Sequence, residues 1–359
     1  MVATEIASKE VDIITGGGFM ADFSELLKEK QAIYKPAGSG RIFTDPDADR
    51  ARLFFRDQKP RKMVEKTTTV GEAVNKLIND GDYVGVGGFG ANRIPTAVLH
   101  EMVRQKKKNL GLAGHTATHD FQILVAGKCI DRCDIAYVVG LEARGLSKIA
   151  RLAIESGEVE TTEWTNAALT WRYKAAAMGL SFMPIRCMLG TDTQKYSAAM
   201  EMECPFTGAK YLAVPALFPD VGIIHVHRAD IYGNCQIDGI MVADNDLARA
   251  AKRLIITTEK LIPNEQIRRD PTRTVIPYYL VDAVIEVPFG SYPGNMPYEY
   301  FSDEDHLREW LKAEANPAEL AEFLNRYIYG VNDFNGYLDQ IGGLKRLQEL
   351  RHQENLIEK

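Results

Sequence analysis

The chain has 359 residues, 45% of them hydrophobic and 26% charged, enough for one large domain or two ordinary ones around a sizeable core. A formal net charge of −6 offers no basic field to phosphates, which argues against nucleic acid as a partner. No apolar run approaches the roughly 20 residues a membrane helix needs, so no membrane role is expected. Five cysteines (Cys129, Cys133, Cys187, Cys204, Cys235) make no CxxC pair and no compact disulfide framework. The opening MVATEIASKEVD lacks the basic-then-apolar plan of a secretion signal, and the expected compartment is the cytoplasm.

Residues 1–65 are dominated by turn formers and charges, with GGG at 16–18, DPDADRAR at 45–52 and RDQKPRK at 56–62. They read as an N-terminal extension, an irregular lead-in that packs on the body or on a partner. From about 66 the texture changes. Thr69 and Glu72 form a T-x-x-E capping box, and Val70, Ala73, Val74, Leu77 and Ile78 fall on one helical face. YVGVG then reads as a short buried strand, and Pro95 suits the first turn of the next helix. The basic run Arg104, Lys106, Lys107 and Lys108 suits that helix's C-terminus, where cations complement the macrodipole.

The alternation continues with strands near 110–113 and 135–139 and helices near 117–126, 146–155 and 166–178. Strands near 182–189, 211–217 and 221–227 follow, then a helix at 244–252, the strand LIITT and a buried strand at 280–288. Apolar strands separated by amphipathic helices predict an α/β fold, an open, mostly parallel sheet covered on both faces. From about 303 the tail reads as helical: EDHLREWLKAEA, PAELAEFLNRYIYG, LKRLQELRHQ. The body is thus one domain over 66–359.

The most informative stretch is Asp80–Pro95, DGDYVGVGGFGANRIP: a strand, a Gly-Gly turn, a loop and a helix start. Gly87 and Gly88 let the backbone bend and a ligand approach without a Cβ in the way. Main-chain N–H groups freed there could donate to a developing oxyanion, at the strand ends where open α/β sheets bind ligands. A bare Gly-Gly is also an ordinary strand-to-helix turn.

The whole string resembles the signature of family I CoA-transferases: an Asp-Gly turn, an apolar strand, Gly87-Gly88-Phe89, then a proline after a short loop. The usual glycine two residues before that proline is Arg93 here. That departure is similar to the glutaconate branch, whose α chain also resembles Ala175–Ala177 through Pro184, Val214-Pro215, Val221–His225 and Ile267–Thr272. Further matching segments are Ile276-Pro277, Val281–Val284 and Pro288–Gly290, so the resemblance runs from about 66 to about 350. It implies a Rossmann-like α-type subunit paired with a β-type subunit, in an α2β2 or larger heteromer. A glutamate of the β chain would attack an acyl-CoA and carry CoA as a thioester until a carboxylate accepts it, splitting one hard step into two. The α loop would help hold the intermediate. The resemblance implies no permanently bound cofactor, with the CoA thioester as substrate, and no metal. A β-type catalytic glutamate motif is not found in this chain.

Other residues carry weighed alternatives. His115 and His119, in GHTATHD after a strand, suit proton transfer near neutral pH, or cap a helix. With Asp120 their spacing also admits a metal, though no third protein ligand is assured. Glu142 follows another strand and is either a catalytic carboxylate or a solvated charge. Asn92, Arg93, Asn166 and Arg186 are candidate substrate-binding residues. The two arginines could grip a carboxylate bidentately or serve as structural ion pairs. His225 and His227, on a buried strand, read as structural. Two readings compete with CoA transfer: a CoA-thioester hydrolase or C–C lyase/decarboxylase on the same fold, and a non-enzymatic CoA-ester-binding module.

Overall fold

Seven strands form a parallel sheet in the order β12-β11-β9-β2-β3-β4-β5, with the short β10 antiparallel to β9 at one end. The structure, a computed structural model, describes residues 35–138, 140 and 144–356; all of these belong to one compact unit. Glu142 lies outside the described residues.

In chain order, β1 (Lys35–Pro36) and α1 (Ala48–Asp57) precede α2 (Val70–Leu77), β2 (Tyr83–Val86), α3 (Thr96–Arg104) and β3 (Leu110–Gly114). Then come α4 (His119–Ala126), β4 (Ile130–Ile135), α5 (Lys148–Glu155), β5 (Glu160–Glu163), α6 (Asn166–Ala177) and β6 (Phe182–Ile185). The short α7 (Asp192–Lys195) leads to β7 (Met200–Glu203), β8 (Lys210–Pro215), β9 (Val221–Ala229) and β10 (Cys235–Gln236). After these, α8 (Asp244–Ala250), β11 (Arg253–Leu261), α9 (Asn264–Arg269) and β12 (Ala283–Glu286) complete the sheet. The tail holds α10 (Glu304–Ala313), α11 (Pro317–Leu324), α12 (Phe334–Gln340) and α13 (Gly343–Leu356). No helix among the described residues is long and apolar enough to cross a membrane.

One half of the capping box forms, and the Glu72 side chain turns to the preceding threonine. Thr69 accepts the Glu72 N–H, while the Glu72 carboxylate takes a bond from the Thr68 hydroxyl at 2.7 Å. Strand residues alternate between two cores, so the sheet is buried on both faces. Val221 and Ile223 join the core beneath α2–α5 and the tail, whereas Ile224 and Val226 join the core beneath α6 and α8.

Two expectations need correction. The strand expected at 135–139 is instead Ile130–Ile135, and the apolar run follows it as loop. Strand β4 is held by a charge the apolar pattern could not reveal. Asp134 is fully buried, paired with Arg172 at 2.7 Å and hydrogen-bonded by Tyr83 Oη–H and Trp164 Nε1–H. The strands expected near 182–189 and 211–217 are β6 and β8, and neither joins the parallel sheet. With β1 and β7 they make a separate four-stranded antiparallel sheet, β1-β7-β8-β6. Residues 35–65 pack on the body: β1 pairs with β7, and Lys59 buries its ammonium against Asp282 and the Lys252 carbonyl.

Candidate active site

Strands β2 and β9 are neighbours, but the chain leaves β2 toward β3–β5 and leaves β9 toward β11 and β12. The connections part at this pair, and a crevice at the carboxyl ends of such strands is where open α/β sheets bind ligands. The loop Gly87–Arg93 lies there. Its N–H groups are nearly all used internally. Gly87 donates to Ile223 O, Phe89 to Asn92 O, Gly90 to Thr116 O, Asn92 to Phe89 O and Arg93 to Asn295 O, at 2.7–3.1 Å. Gly88 N–H donates to Asp244 Oδ1 at 2.9 Å. Among the described residues, Ala91 alone in this stretch shows no internal acceptor for its N–H. The N–H groups of Gly87 and Gly88 are thus both engaged within the chain, and Ala91 N–H is the group left over. Phe89 is half-buried beside it, and the Asn92 Oδ1 accepts from Asn295 Nδ2 at 2.6 Å.

Arg93 is fully buried and forks onto Asp244 at 3.0 and 2.7 Å, with a further bond to Ile240 O. Both terminal nitrogens are thus committed within the chain, while Nε, also buried, has no partner. Burial works to raise the Asp244 pKa, but the Arg93 charge and hydrogen bonds, with the Gly88 N–H, outweigh it and hold the carboxyl below its usual range. Arg93 has φ 54°, left-handed backbone, which explains why a glycine suits this position in the family pattern. Thr116, in the neighbouring loop, has φ 48°, costly for a β-branched residue. Strain of this kind gathers at functional edges.

Loop and helix start after β3 are tied to the glycine loop by Thr118 Oγ1–H to Gly90 O, 2.6 Å. His115 is buried, with Nε2 2.8 Å from Thr170 Oγ1 on α6. Thr170 already donates to Asn166 O at 3.0 Å, so Nε2 carries the proton and Nδ1 is a bare acceptor, an assignment made from the hydrogen bonds. That Nδ1 has no partner. Burial pushes the His115 pKa down, partly opposed by the nearby backbone of His115 and Asn166 and by Asp244. Asn166, exposed at the start of α6, thus stands beside His115 through Thr170.

His119 opens α4, is buried, and has neither ring nitrogen partnered. It stacks edge-on against Trp310 of α10, with ring centroids 5.0 Å apart. Burial first, then His306, lowers its pKa to about 3, so the ring is neutral. Asp120 points back to cap its own helix through the Thr118 N–H at 2.6 Å, and burial raises its pKa to about 6. Among the described residues no three His, Cys, Asp or Glu side chains converge on a metal position. His119, Thr118 and Gln122 line a cleft with Ala91 on one side and Trp310 and Leu307 of the tail helix on the other.

Arg186 is not brought to this loop by any contact the structure shows. It follows β6 of the antiparallel sheet, exposed, 5.8 Å from the Tyr211 ring. Two carboxylates of the site, Asp244 and Glu259, are not among the residues the sequence singles out. Glu259, at the end of β11, accepts from Phe289 N–H and Tyr300 Oη–H and bonds His225, all at 2.7–2.8 Å. An acid at a strand end is the signal that could have flagged it. His225 and His227 are both buried and bonded, His227 to Pro297 O and the Asp238 N–H.

The chain matches the family described as Coenzyme A transferase over residues 67–287. One chain of the 3-oxoadipate CoA-transferase of Pseudomonas knackmussii is 32% identical over 277 residues, 76% of this chain and 97% of its own. The crystal structure of glutaconate coenzyme A-transferase from Acidaminococcus fermentans superposes with a TM-score of 0.76 at 29% identity. That match covers 80% of this chain and 95% of the other. The decarboxylase AibA/AibB matches with a TM-score of 0.65 at 29% identity, over 73% of this chain and all of its own. The fold, the glycine loop at the parting of β2 and β9, and these matches agree: the chain belongs to the Coenzyme A transferase family, among members that are single subunits of larger enzymes.

Proposed function

We propose that this chain is the α-type subunit of a CoA-transferase that moves CoA between an acyl-CoA and a carboxylate acceptor, with the nucleophilic glutamate on a β-type partner. The observation that carries the reading is the glycine loop, which leaves one N–H without an internal acceptor, that of Ala91, a residue that lines a cleft. The described carboxylates around it are all committed: Asp244 to Arg93, Asp120 to its helix, Glu259 to three donors. A nucleophile must then come from outside these residues.

The partner carboxylate attacks the acyl carbonyl, and the oxyanion that forms is met by the Ala91 N–H. The C–S bond breaks, leaving an acyl-glutamyl anhydride and CoA thiolate. The thiolate attacks the glutamyl carbonyl and expels the acyl carboxylate, leaving glutamyl-CoA; the acceptor carboxylate reverses the sequence. The active form is an α2β2 or larger heteromer working in the cytoplasm, without a permanent cofactor. Arg186 and Asn166 lie outside the cleft and would reach substrate only through the CoA moiety or the partner.

Mass spectrometry of the complex after mixing with acyl-CoA tests this reading. CoA minus water should appear on the partner chain; the adduct on this chain would overturn the proposal. A second reading, hydrolytic or C–C bond chemistry, draws on the bare Nδ1 of His115, a proton acceptor that CoA exchange does not need. His115→Gln should lower transfer by less than ~10-fold, whereas a general base would cost ~100-fold or more. Acceptor-independent release of free CoA or carbon dioxide would favour that second reading.

A further inference from the structure

The glycine loop is clamped from the far edge of the sheet. After β12 the chain turns back across the carboxyl ends of β11 and β9 to the loop that follows β2, and residues 289–295 form this strap. At its near end Phe289 N–H donates to Glu259 Oε2 at 2.8 Å. Over β9, Gly290 lies so close to His225 that a Cβ would sit 2.8 Å from the ring Cε1. At its far end Asn295 N–H donates to Ala91 O and Asn295 O accepts the Arg93 N–H, each at 2.9 Å. Gly294 leaves no room for more, since a Cβ there would be 2.2 Å from Ala91 O. The strap also holds the start of α3, where Gly290 O and Ser291 O accept from the Ala97 N–H and the Thr96 hydroxyl.

This path is strained at its start. Phe289 has φ 60°, left-handed backbone that a bulky residue keeps only when its surroundings over-determine it. Glu259 supplies that constraint. Besides the Phe289 N–H, it accepts from Tyr300 Oη–H at 2.7 Å and bonds His225 Nε2 at 2.8 Å. Tyr300 Oη in turn accepts the Ser291 N–H at 3.1 Å. One carboxylate therefore fixes the strap twice, directly at Phe289 and through Tyr300 at Ser291. Glu259 is buried, and Tyr300 and His225 are fully so. Burying an acid is costly, and packing alone would be served as well by an apolar side chain. We propose that Glu259 is a positioning residue for the reaction: through the strap it sets where Ala91–Arg93 of the glycine loop stands, its own oxygens being committed within the chain. The proposal rests on the transferase reading for that loop's part in the chemistry.

The test follows, by mass spectrometry, how fast CoA appears on the partner chain after the assembled complex is mixed with acetyl-, succinyl- or glutaryl-CoA. Rates are taken per assembled complex, and the half-saturating ester concentration is read alongside. Glu259→Met, similar in length, removes all three bonds of the carboxylate. A loop displaced by ~1 Å is enough to slow the step ~100-fold, with half-saturation within ~3-fold of the parent's. Glu259→Gln keeps an acceptor for the Phe289 N–H and an amide that can turn to Tyr300 and His225, so it should recover the rate to within ~10-fold of the parent. If Glu259→Met does not assemble, Tyr300→Phe carries the test: it strips the Ser291 N–H of its acceptor and should slow the step ~10-fold. A merely structural role would lower the melting temperature and the yield of complex while leaving the rate per complex unchanged. A parent-like rate in Glu259→Met or Tyr300→Phe, a change confined to half-saturation, or a Gln variant as slow as the Met variant would overturn the assignment alone. No CoA on the partner of the unaltered complex with any of these esters would overturn the transferase reading, and the assignment with it.

Discussion

The Arg93–Asp244 pair shows how one residue choice reorganises a site. Both side chains are fully excluded from solvent, and a buried pair broken on one side leaves an uncompensated charge, typically costing about 3–5 kcal/mol. Asp244→Ala should therefore lower the unfolding free energy by about that much in a denaturant titration and abolish CoA exchange. A loss under ~1 kcal/mol would mean the pair does not hold the loop. Gly88 is equally constrained: a Cβ there would lie 2.3 Å from Asn92 O, on a backbone at φ 77°. Gly88→Ala should thus destabilise by at least ~1–2 kcal/mol, and a normally stable variant would contradict this packing. The glycine motif is legible in the sequence as a turn between a strand and a helix, but its packing is not. Sequence alone suggests that glycine clears a path for ligand, whereas here it clears a path for the loop's own carbonyls. Asp244 is hidden because it is 156 residues away in sequence, and an acid in a helix's first turn already has a reason to be there, the macrodipole. His115 and His119 are legible because imidazoles after a strand are conspicuous. Their tautomer and neutrality need neighbours from α6 and α10.

At the scale of elements, α3, α4 and the tail helices bury two histidines whose nitrogens find no partner, His100 and His119, with ring centroids 6.2 Å apart. Burial lowers the pKa of both, that of His119 from 6.5 to about 3. Between those values the unfolded chain binds a proton that the folded chain refuses. The stability associated with the neutral His119 ring is whole above about pH 6.5 and falls as pH drops toward 3, by up to about 1.4 kcal/mol per unit. Asp120 acts oppositely: burial raises its pKa from 3.8 to about 6, so the folded state holds its proton more tightly over that span. His119→Phe removes only the histidine's share. Its unfolding free energy should fall less steeply than the parent's from pH 6 to pH 4, by up to ~1.4 kcal/mol per unit; parallel pH curves would show that His119 is solvated. The same layer illustrates what sequence patterns convey. Periodicity places α2 and α10 within a few residues, because each shows one apolar stripe to the core, whereas α3 and α4 are buried nearly all round. It misplaces β4, which carries the buried Asp134–Arg172 pair in place of a continuous apolar run. It also merges β6 and β8 into the parallel sheet, since strand direction and partner are set by tertiary pairing rather than by composition.

For the whole molecule, the proposed reading has a partner bring a carboxylate to the cleft that Ala91 lines, and an apolar surface anchored on Arg93 offers it a contact. The chain just before α8 exposes Ile240 and Val242, with relative exposures of 57% and 37%, and Tyr298 beside Gly239 is 63% exposed. The segment is anchored from within, because the Ile240 carbonyl accepts from Arg93. Its apolar side chains are therefore presented on a fixed backbone rather than left on a loose loop. Stable subunit interfaces bury on the order of 2,000 Å² or more, with an apolar centre and few charges. A charge placed at that centre is desolvated without a counter-ion and weakens association by several kcal/mol. Ile240→Asp should leave the isolated chain folded with an unchanged melting profile, since the side chain meets solvent there. In the presence of the β-type chain it should weaken association at least ~100-fold by sedimentation analysis, with CoA exchange falling in proportion to the complex lost. A complex that forms normally with Ile240→Asp would place the partner on another face. The nucleophile would then need a different route to the glycine loop, or would have to be supplied by this chain itself.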